Sequence, residues 1–244
     1  MPDRYHVARA MIASLRSPSM SVGWWLLVVA ITSCTNLLDF FAAPKAGQTI
    51  GGAFAFAALI RVALVFWLSY ALIRRLAGTD RPAAVTPALA RFVGFQIGML
   101  VLFGAITGFV SRVLGVEMGG ALGAIMTFLI MTGTYLALVR LLAWQAALAV
   151  GDASLGPARA WHGLADAKVP LAIGYLVIAG VSAVHSALTH LAIASDRSIG
   201  LAGLALVDGA VSAVQLVLIC ALSVTAWRLA TDRSAALREG VALA

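Results

Sequence analysis

Long apolar stretches separated by short polar links dominate the pattern of this chain. Six of them predict membrane-spanning helices, since about 20 apolar residues cross a hydrocarbon core roughly 30 Å thick. None alternates apolar and polar residues as a membrane strand does. The pattern predicts an all-α polytopic helix bundle, forming a single transmembrane domain over residues 1–244. The spans are expected at about 22–43, 50–73, 89–110, 119–150, 171–194 and 201–229.

The fourth stretch is the longest, and a polar break follows it. Residues 119–150 contain no proline and one charged side chain, Arg140, which predicts one continuous helix. Residues 151–157 form the break, in which Ser154 is a candidate helix cap. Residues 157–167 are then expected to form a short elbow helix before the apolar sequence resumes at Pro170.

The first eighteen residues combine arginines with an apolar face. Val7, Met11 and Leu15 recur at helical spacing, which predicts a short amphipathic helix lying on the membrane surface. A disordered basic tail is the alternative, and the sequence leaves both open.

Composition fixes the class of protein and its surroundings. Hydrophobic residues make up 62% of the chain and charged residues 11%, whereas soluble domains carry about 25% charged residues. The net charge of +7 is distributed between the spans. Anionic lipid headgroups are therefore the expected partners, and nucleic acid is not.

Arginine and lysine positions predict the orientation. Thirteen of the seventeen basic residues fall on one side of the six spans and three on the other, while Arg61 lies inside the second span. Basic loops stay in the cytoplasm, so both termini and the elbow are expected there. All six tryptophans lie near the same side, as indoles at the headgroup level do.

Ionisable side chains inside apolar spans are costly and therefore mark candidate sites. Arg61, His185 and Asp208 lie in three different spans, about 12 to 16 Å from the external side at helical rise. Asn36 and Asp39 lie at similar or shallower depth. The candidate intramembrane polar layer comprises Arg61, His185, Asp208, Asn36, Asp39 and Gln215.

This layer has two interpretations. It could line a cavity in which Arg61 pairs with Asp208 and His185 titrates beside them, binding an anionic substrate or relaying a proton. It could instead be a buried ion pair that fixes helix order, with Arg61 bound to Asp208 or to Asp39. The sequence leaves these alternatives open.

Motifs of known enzyme chemistry are missing. There is no HExxH, GxSxG or phosphate loop, and His185 and His190 are five residues apart, which points them to different helix faces. Cys34 and Cys220 lie in apolar spans and are expected to pack as thiols. We therefore expect no enzyme activity, no cofactor and no metal.

Glycine pairs and the elbow suggest contacts. Gly94 and Gly98, and then Gly104 and Gly108, are spaced four apart, which predicts close helix packing within the chain rather than a dimer face. The elbow could dock on the membrane surface or on a cytoplasmic partner such as an ATPase subunit. Its candidate docking residues are Arg159, Trp161 and Lys168.

The elbow also carries a family resemblance. The segment with Arg140, Asp152, Ala158 and Trp161 resembles the fourth helix and elbow of the YciC-like proteins and of the membrane domain fused to some glycerophosphodiester phosphodiesterases. The resemblance covers about forty residues. It implies a helix bundle in a bacterial cytoplasmic (inner) membrane, and it brings no phosphodiesterase chemistry because the catalytic domain is absent.

These observations favour a structural or accessory membrane protein, a subunit of a membrane complex or a helper of envelope homeostasis. The alternative is a small transporter or lipid-handling permease that uses Arg61, His185 and Asp208. A water-accessible cavity reaching those side chains would distinguish the second function from the first.

Overall fold

The computed structural model describes residues 6–16, 20–42, 51–115, 121–194 and 198–242, and this part of the chain is helical with connecting turns. The helices are α1 (His6–Leu15), α2 (Val22–Ala42), α3 (Gly52–Ala77), α4 (Pro87–Leu114), α5 (Ala121–Leu138), α6 (Leu142–Val150), α7 (Pro157–Gly163), α8 (Lys168–Ala194) and α9 (Ser198–Ala242).

Within the described residues, five stretches of helix are long and apolar enough to cross a membrane, which makes this a multi-pass membrane protein. They lie in α3, α4, the α5–α6 segment, α8 and α9. The first expected span, at about 22–43, corresponds to α2, whose described apolar stretch, Val22–Leu38, is shorter than those five.

The fourth expected span, residues 119–150, contains a candidate membrane-crossing stretch, Ile125–Val150, but this stretch is not one uninterrupted α-helix. A single 3-10 turn, Val139–Leu141, separates α5 from α6. Arg140 lies in this turn and donates from Nη1 to the backbone oxygen of Trp161 at 2.8 Å. A 3-10 turn is tighter than an α-helical turn, so it changes the direction of the side chains that follow it. The interruption coincides with Arg140, whose guanidinium is bonded to α7.

The break after α6 is built differently from the expectation. Gly151 ends the helix with φ +83°, a left-handed conformation that glycine adopts without strain. Gly156 rather than Ser154 precedes α7, so the expected cap is wrong: the Ser154 hydroxyl instead donates to Asp152 at 2.6 Å. The helix α7 ends at Gly163, and turns occupy residues 164–167.

Two compact units make up the chain. The first comprises residues 1–11, 84–177 and 222–244, and the second comprises residues 12–83 and 178–221. The helices α8 and α9 therefore contribute segments to both.

In the first unit, α4 packs on α5 and α6. The Trp144 ring meets Phe95 edge to face, and Tyr135 lies between Phe103 and Tyr175.

The start of α1 belongs to this unit and is anchored on protein. Val7 and Met11 are 3% and 5% exposed, and both lie close to Gly174 of α8. A Cβ at Gly174 would come within 3.3 Å of the Met11 sulfur and 3.1 Å of Leu222 on α9. An amphipathic helix is present over His6–Leu15, and Val7 and Met11 on its apolar face are buried beside Gly174 of α8.

In the second unit, α2 packs on α3 and crosses α9 at very short range. A Cβ built at Gly209 would lie 2.5 Å from the Cα of Ser33 and closer still to its hydroxyl. Only a residue without a side chain allows the two backbones to approach this closely.

The paired glycines of α4 do not have this role. A Cβ at Gly94, Gly98, Gly104 or Gly108 would meet nothing within 4 Å among the described residues. The expected close packing within the chain is therefore wrong for these four positions, which are all exposed.

We predict that Gly209→Ala lowers the free energy of unfolding in mixed micelles by about 1 to 3 kcal/mol, because the added methyl must push α2 away from α9. Gly203→Ala is the matched control in the same helix, since its Cβ would meet no described residue within 4 Å. Equal stability of the two variants would contradict the close crossing.

Candidate functional site

A buried carboxylate on α9 is the centre of the candidate site. Asp208 is completely buried, and its oxygens accept hydrogen bonds from side chains on two other helices. We call this group the Asp208 cluster; its members are Asn36, His185, Thr189, Asp208 and Ser212.

The helix α2 contributes one member of the cluster, the amide side chain of Asn36. Asn36 donates from Nδ2 to Asp208 Oδ2 at 2.9 Å and to the Ser212 hydroxyl at 3.2 Å. One turn earlier, Thr32 donates to the backbone oxygen of Gly209 at 2.7 Å. Residues four apart share a helix face, so Thr32 and Asn36 meet α9 together.

The α8 side consists of His185 and Thr189, again one turn apart. The distance from His185 Nδ1 to Asp208 Oδ1 is 2.6 Å, and the distance to the Ser212 hydroxyl is 3.1 Å. Thr189 donates to Asp208 Oδ2 at 3.3 Å. The His185 side chain is 21% exposed, whereas that of Asp208 is 1% exposed.

The Asp208 oxygens are surrounded by side chains that can donate hydrogen bonds to them. Carboxylate oxygens only accept, and here Asn36, Thr189 and His185 can each donate to one of them. Buried charges are tolerated where such donors surround them. The described residues hold no group of three metal-ligating side chains. What the cluster shows is a hydrogen-bonded network centred on the Asp208 oxygens.

The cluster contains half of the expected polar layer. Asn36, His185 and Asp208 come together. Arg61 on α3 is half-buried and has an interaction of its own, but it is not among the recorded partners of Asp208. Gln215 is half-buried on α9 and takes no part in the cluster's hydrogen bonds. The Asp39 side chain lies outside the described residues.

The expected docking residues have different surroundings. The Trp161 ring is covered by the Arg140 guanidinium, 3.8 Å from its centroid. Arg159 donates to the backbone oxygen of Ser154 at 2.8 Å, and Lys168 is exposed at the start of α8. Trp161 therefore contacts the 3-10 turn between α5 and α6, and the sequence did not predict this contact.

Asp152, which follows α6, is hydrogen-bonded to α9. Its Oδ2 accepts from the Trp227 indole at 2.9 Å, and its Oδ1 accepts from the backbone and hydroxyl of Ser154. Partial burial alone would raise the pKa of Asp152, but the hydrogen bonds from Ser154 and Trp227 outweigh it and hold that pKa below its usual value.

A small cavity lies in the first unit beside the 3-10 turn. Gln96, Tyr135 and Gln145 line it together with apolar side chains, and its volume of about 10 Å³ suits one water molecule. Gln145 also accepts from Ser223 at 3.4 Å. The cavity is too small for a substrate, so the Asp208 cluster remains the stronger candidate site.

Comparison with known proteins gives no assignment: no family model, curated protein or solved structure matches this chain.

We predict that His185 and Asp208 are energetically coupled. His185→Phe and Asp208→Asn should each lower the free energy of unfolding in mixed micelles, and the double variant should lose less than their sum by about 0.5 to 2 kcal/mol. The corresponding cycle with Arg61→Gln and Asp208→Asn should show coupling below about 0.5 kcal/mol. Stronger coupling to Arg61 than to His185 would contradict the observed pairing.

We also predict a pH-dependent contribution from Asp152. Because its pKa is lower in the folded chain, the ionised form stabilises the fold at neutral pH, and this contribution disappears as pH falls below about 4 and through the lowered pKa. Trp227→Phe, which removes only the indole donor, should cost about 1 kcal/mol at pH near 7 and progressively less in acid. Urea unfolding in micelles across this pH range measures it; a cost that does not change with pH would contradict the contact.

Proposed function

We propose that this chain is an integral membrane protein of structural or accessory type, a subunit or helper within a membrane complex or in envelope homeostasis, and not an enzyme. The observation that carries the proposal is the enclosure of Asp208, whose recorded partners are protein donors on α2 and α8. Polar groups that specify helix partners behave in this way, contributing on average under about 1 kcal/mol each.

The proposed setting is a bacterial inner membrane, with six spans and both termini in the cytoplasm. The 21 residues of α2 are enough, at helical rise, to cross the hydrocarbon core as the first of the six proposed spans. The asymmetry of basic residues supports the orientation. Arg75 lies 5.7 Å from the Trp24 ring, a pairing suited to the headgroup region, where anionic lipids are the proposed partners. The resemblance to YciC-like membrane proteins supports the bacterial location.

The surface of α4 supports a role within a complex. Gly94, Gly98, Gly104 and Gly108 are exposed, and a Cβ added at any of them would meet nothing within 4 Å in the described part of the chain. Small residues allow a helix of another membrane subunit to approach closely.

Native gel electrophoresis of mildly solubilised membranes tests this role. The wild-type chain of 25.3 kDa should migrate within a larger species. Gly98→Leu should release it without changing its stability, and Gly203→Leu on α9 should not. A wild-type chain that migrates alone would contradict the accessory role.

A small transporter or lipid-handling permease is the second candidate. It is favoured by one observation: the partly exposed His185 ring lies against a fully buried carboxylate. Such a pair would be reachable from a polar pathway in at least one state of the protein, and Arg61 would add positive charge for an anionic headgroup.

Cysteine labelling distinguishes the two candidates. In a chain with Cys34 and Cys220 replaced, Ser182→Cys and Ser212→Cys should both resist a membrane-impermeant thiol reagent if the cluster is structural. Labelling of either from one side of the membrane would instead support the transporter. An added cysteine in the exposed polar break, Ser154→Cys, is the positive control for reagent access.

A further inference from the structure

The small cavity beside the 3-10 turn brings together polar side chains from three helices of the first unit. The cavity has a volume of about 10 Å³, which is the space that one water molecule needs. Three of the side chains that line it carry hydrogen-bonding groups: Gln96 on α4, Tyr135 on α5 and Gln145 on α6. Each helix therefore contributes one such side chain to the same space.

Gln145 has the strongest need of a partner in this cavity. It is 7% exposed and belongs to the candidate membrane span Ile125–Val150, where lipid offers no hydrogen bonds. Ser223 donates to its Oε1 at the long distance of 3.4 Å, and no other described residue bonds this amide. Its two N–H donors therefore require a partner from the cavity, because an unmatched buried donor destabilises a fold.

Gln96 and Tyr135 offer the complementary groups. Gln96 is half-buried, and its amide forms no hydrogen bond with a described residue. The Tyr135 ring packs between Phe103 and Tyr175, while its hydroxyl has no hydrogen-bond partner in the described part of the chain. An amide oxygen accepts and a hydroxyl can do both, so one small molecule that donates and accepts could join them to Gln145.

We propose that this cavity is a binding site for one structural water molecule, which bridges α4, α5 and α6. The water accepts from the Gln145 amide, donates to the Gln96 amide oxygen and bonds the Tyr135 hydroxyl. Three hydrogen bonds are typical of a buried water, whereas a cavity with a wholly apolar lining stays dry. The site lies in the first unit and goes beyond the proposed accessory role, which depends on the surroundings of Asp208.

Water-to-protein proton NMR of the full chain in nanodiscs, with ¹⁵N in the glutamine side chains, tests the proposal. Gln145→Leu identifies the signal of this amide among the four glutamines. In the wild type, the Gln145 amide protons should show a cross-peak to water that has opposite signs in the laboratory and rotating frames. Those opposite signs distinguish a bound water from hydrogen exchange.

Three variants examine the partners of the water. Tyr135→Phe, which keeps the ring contacts, and Gln96→Leu should each weaken the Gln145 cross-peak by roughly twofold or more, because the water loses one of about three hydrogen bonds. Ser223→Ala is the control: it removes the hydroxyl that bonds Gln145 directly, and the cross-peak should remain.

A wild-type Gln145 amide without a cross-peak to water would overturn the proposal. So would a cross-peak that is unchanged in Tyr135→Phe or in Gln96→Leu, or one that disappears in Ser223→Ala. If Gln145→Leu fails to fold, variants of the other three glutamines assign the signal by elimination. A dry cavity would leave the accessory role intact, because that role is tested by native electrophoresis and thiol labelling.

Discussion

A carboxylate buried within apolar helices must be surrounded by donors, and this requirement organises the second unit. Asp208 satisfies it with Asn36 from α2 and with His185 and Thr189 from α8. Since lipid offers no competing donors, each contact restricts which helix faces can meet. The same requirement sets the rotation of α2 and the described part of α8 about their axes, because each must present two successive turns to α9.

Much of this could be predicted from the sequence, and the missing part has a physical reason. Hydropathy predicted the apolar helices, and the cost of burying charge identified His185 and Asp208. Depth in a span follows from residue counting, but the direction of a side chain around the helix depends on neighbouring helices. Residue counting therefore left open whether Arg61 pairs with Asp208 or with Asp39, and it did not predict that Asn36 and His185 would both bond Asp208.

Local rules failed where a side chain had a distant partner. The Ser154 hydroxyl matches the preference of a helix cap, yet it bonds Asp152, which is held in turn by Trp227. Arg140 lies in the 3-10 turn between α5 and α6, and its guanidinium contacts both the ring and the backbone oxygen of Trp161, 21 residues later. Glycine spacing did not identify the close helix contact. A Cβ added at the paired glycines of α4 would meet no described residue, whereas Gly209, which belongs to none of those pairs, lies against the Ser33 backbone.

The separation of Asn36 from Asp208 along the chain affects biosynthesis. The two residues are 172 positions apart, so at about 5 to 20 residues per second the amide emerges roughly 10 to 30 s before its acceptor. During that interval Asn36 must find other hydrogen-bonding groups, such as the insertion machinery, headgroups or the backbone of its own helix. The second unit therefore cannot complete its hydrogen bonds until α9 is synthesised. A ribosome that stalled before α9 would leave Asn36 on α2 without its Asp208 acceptor, and the unassembled helix would be open to quality-control proteases.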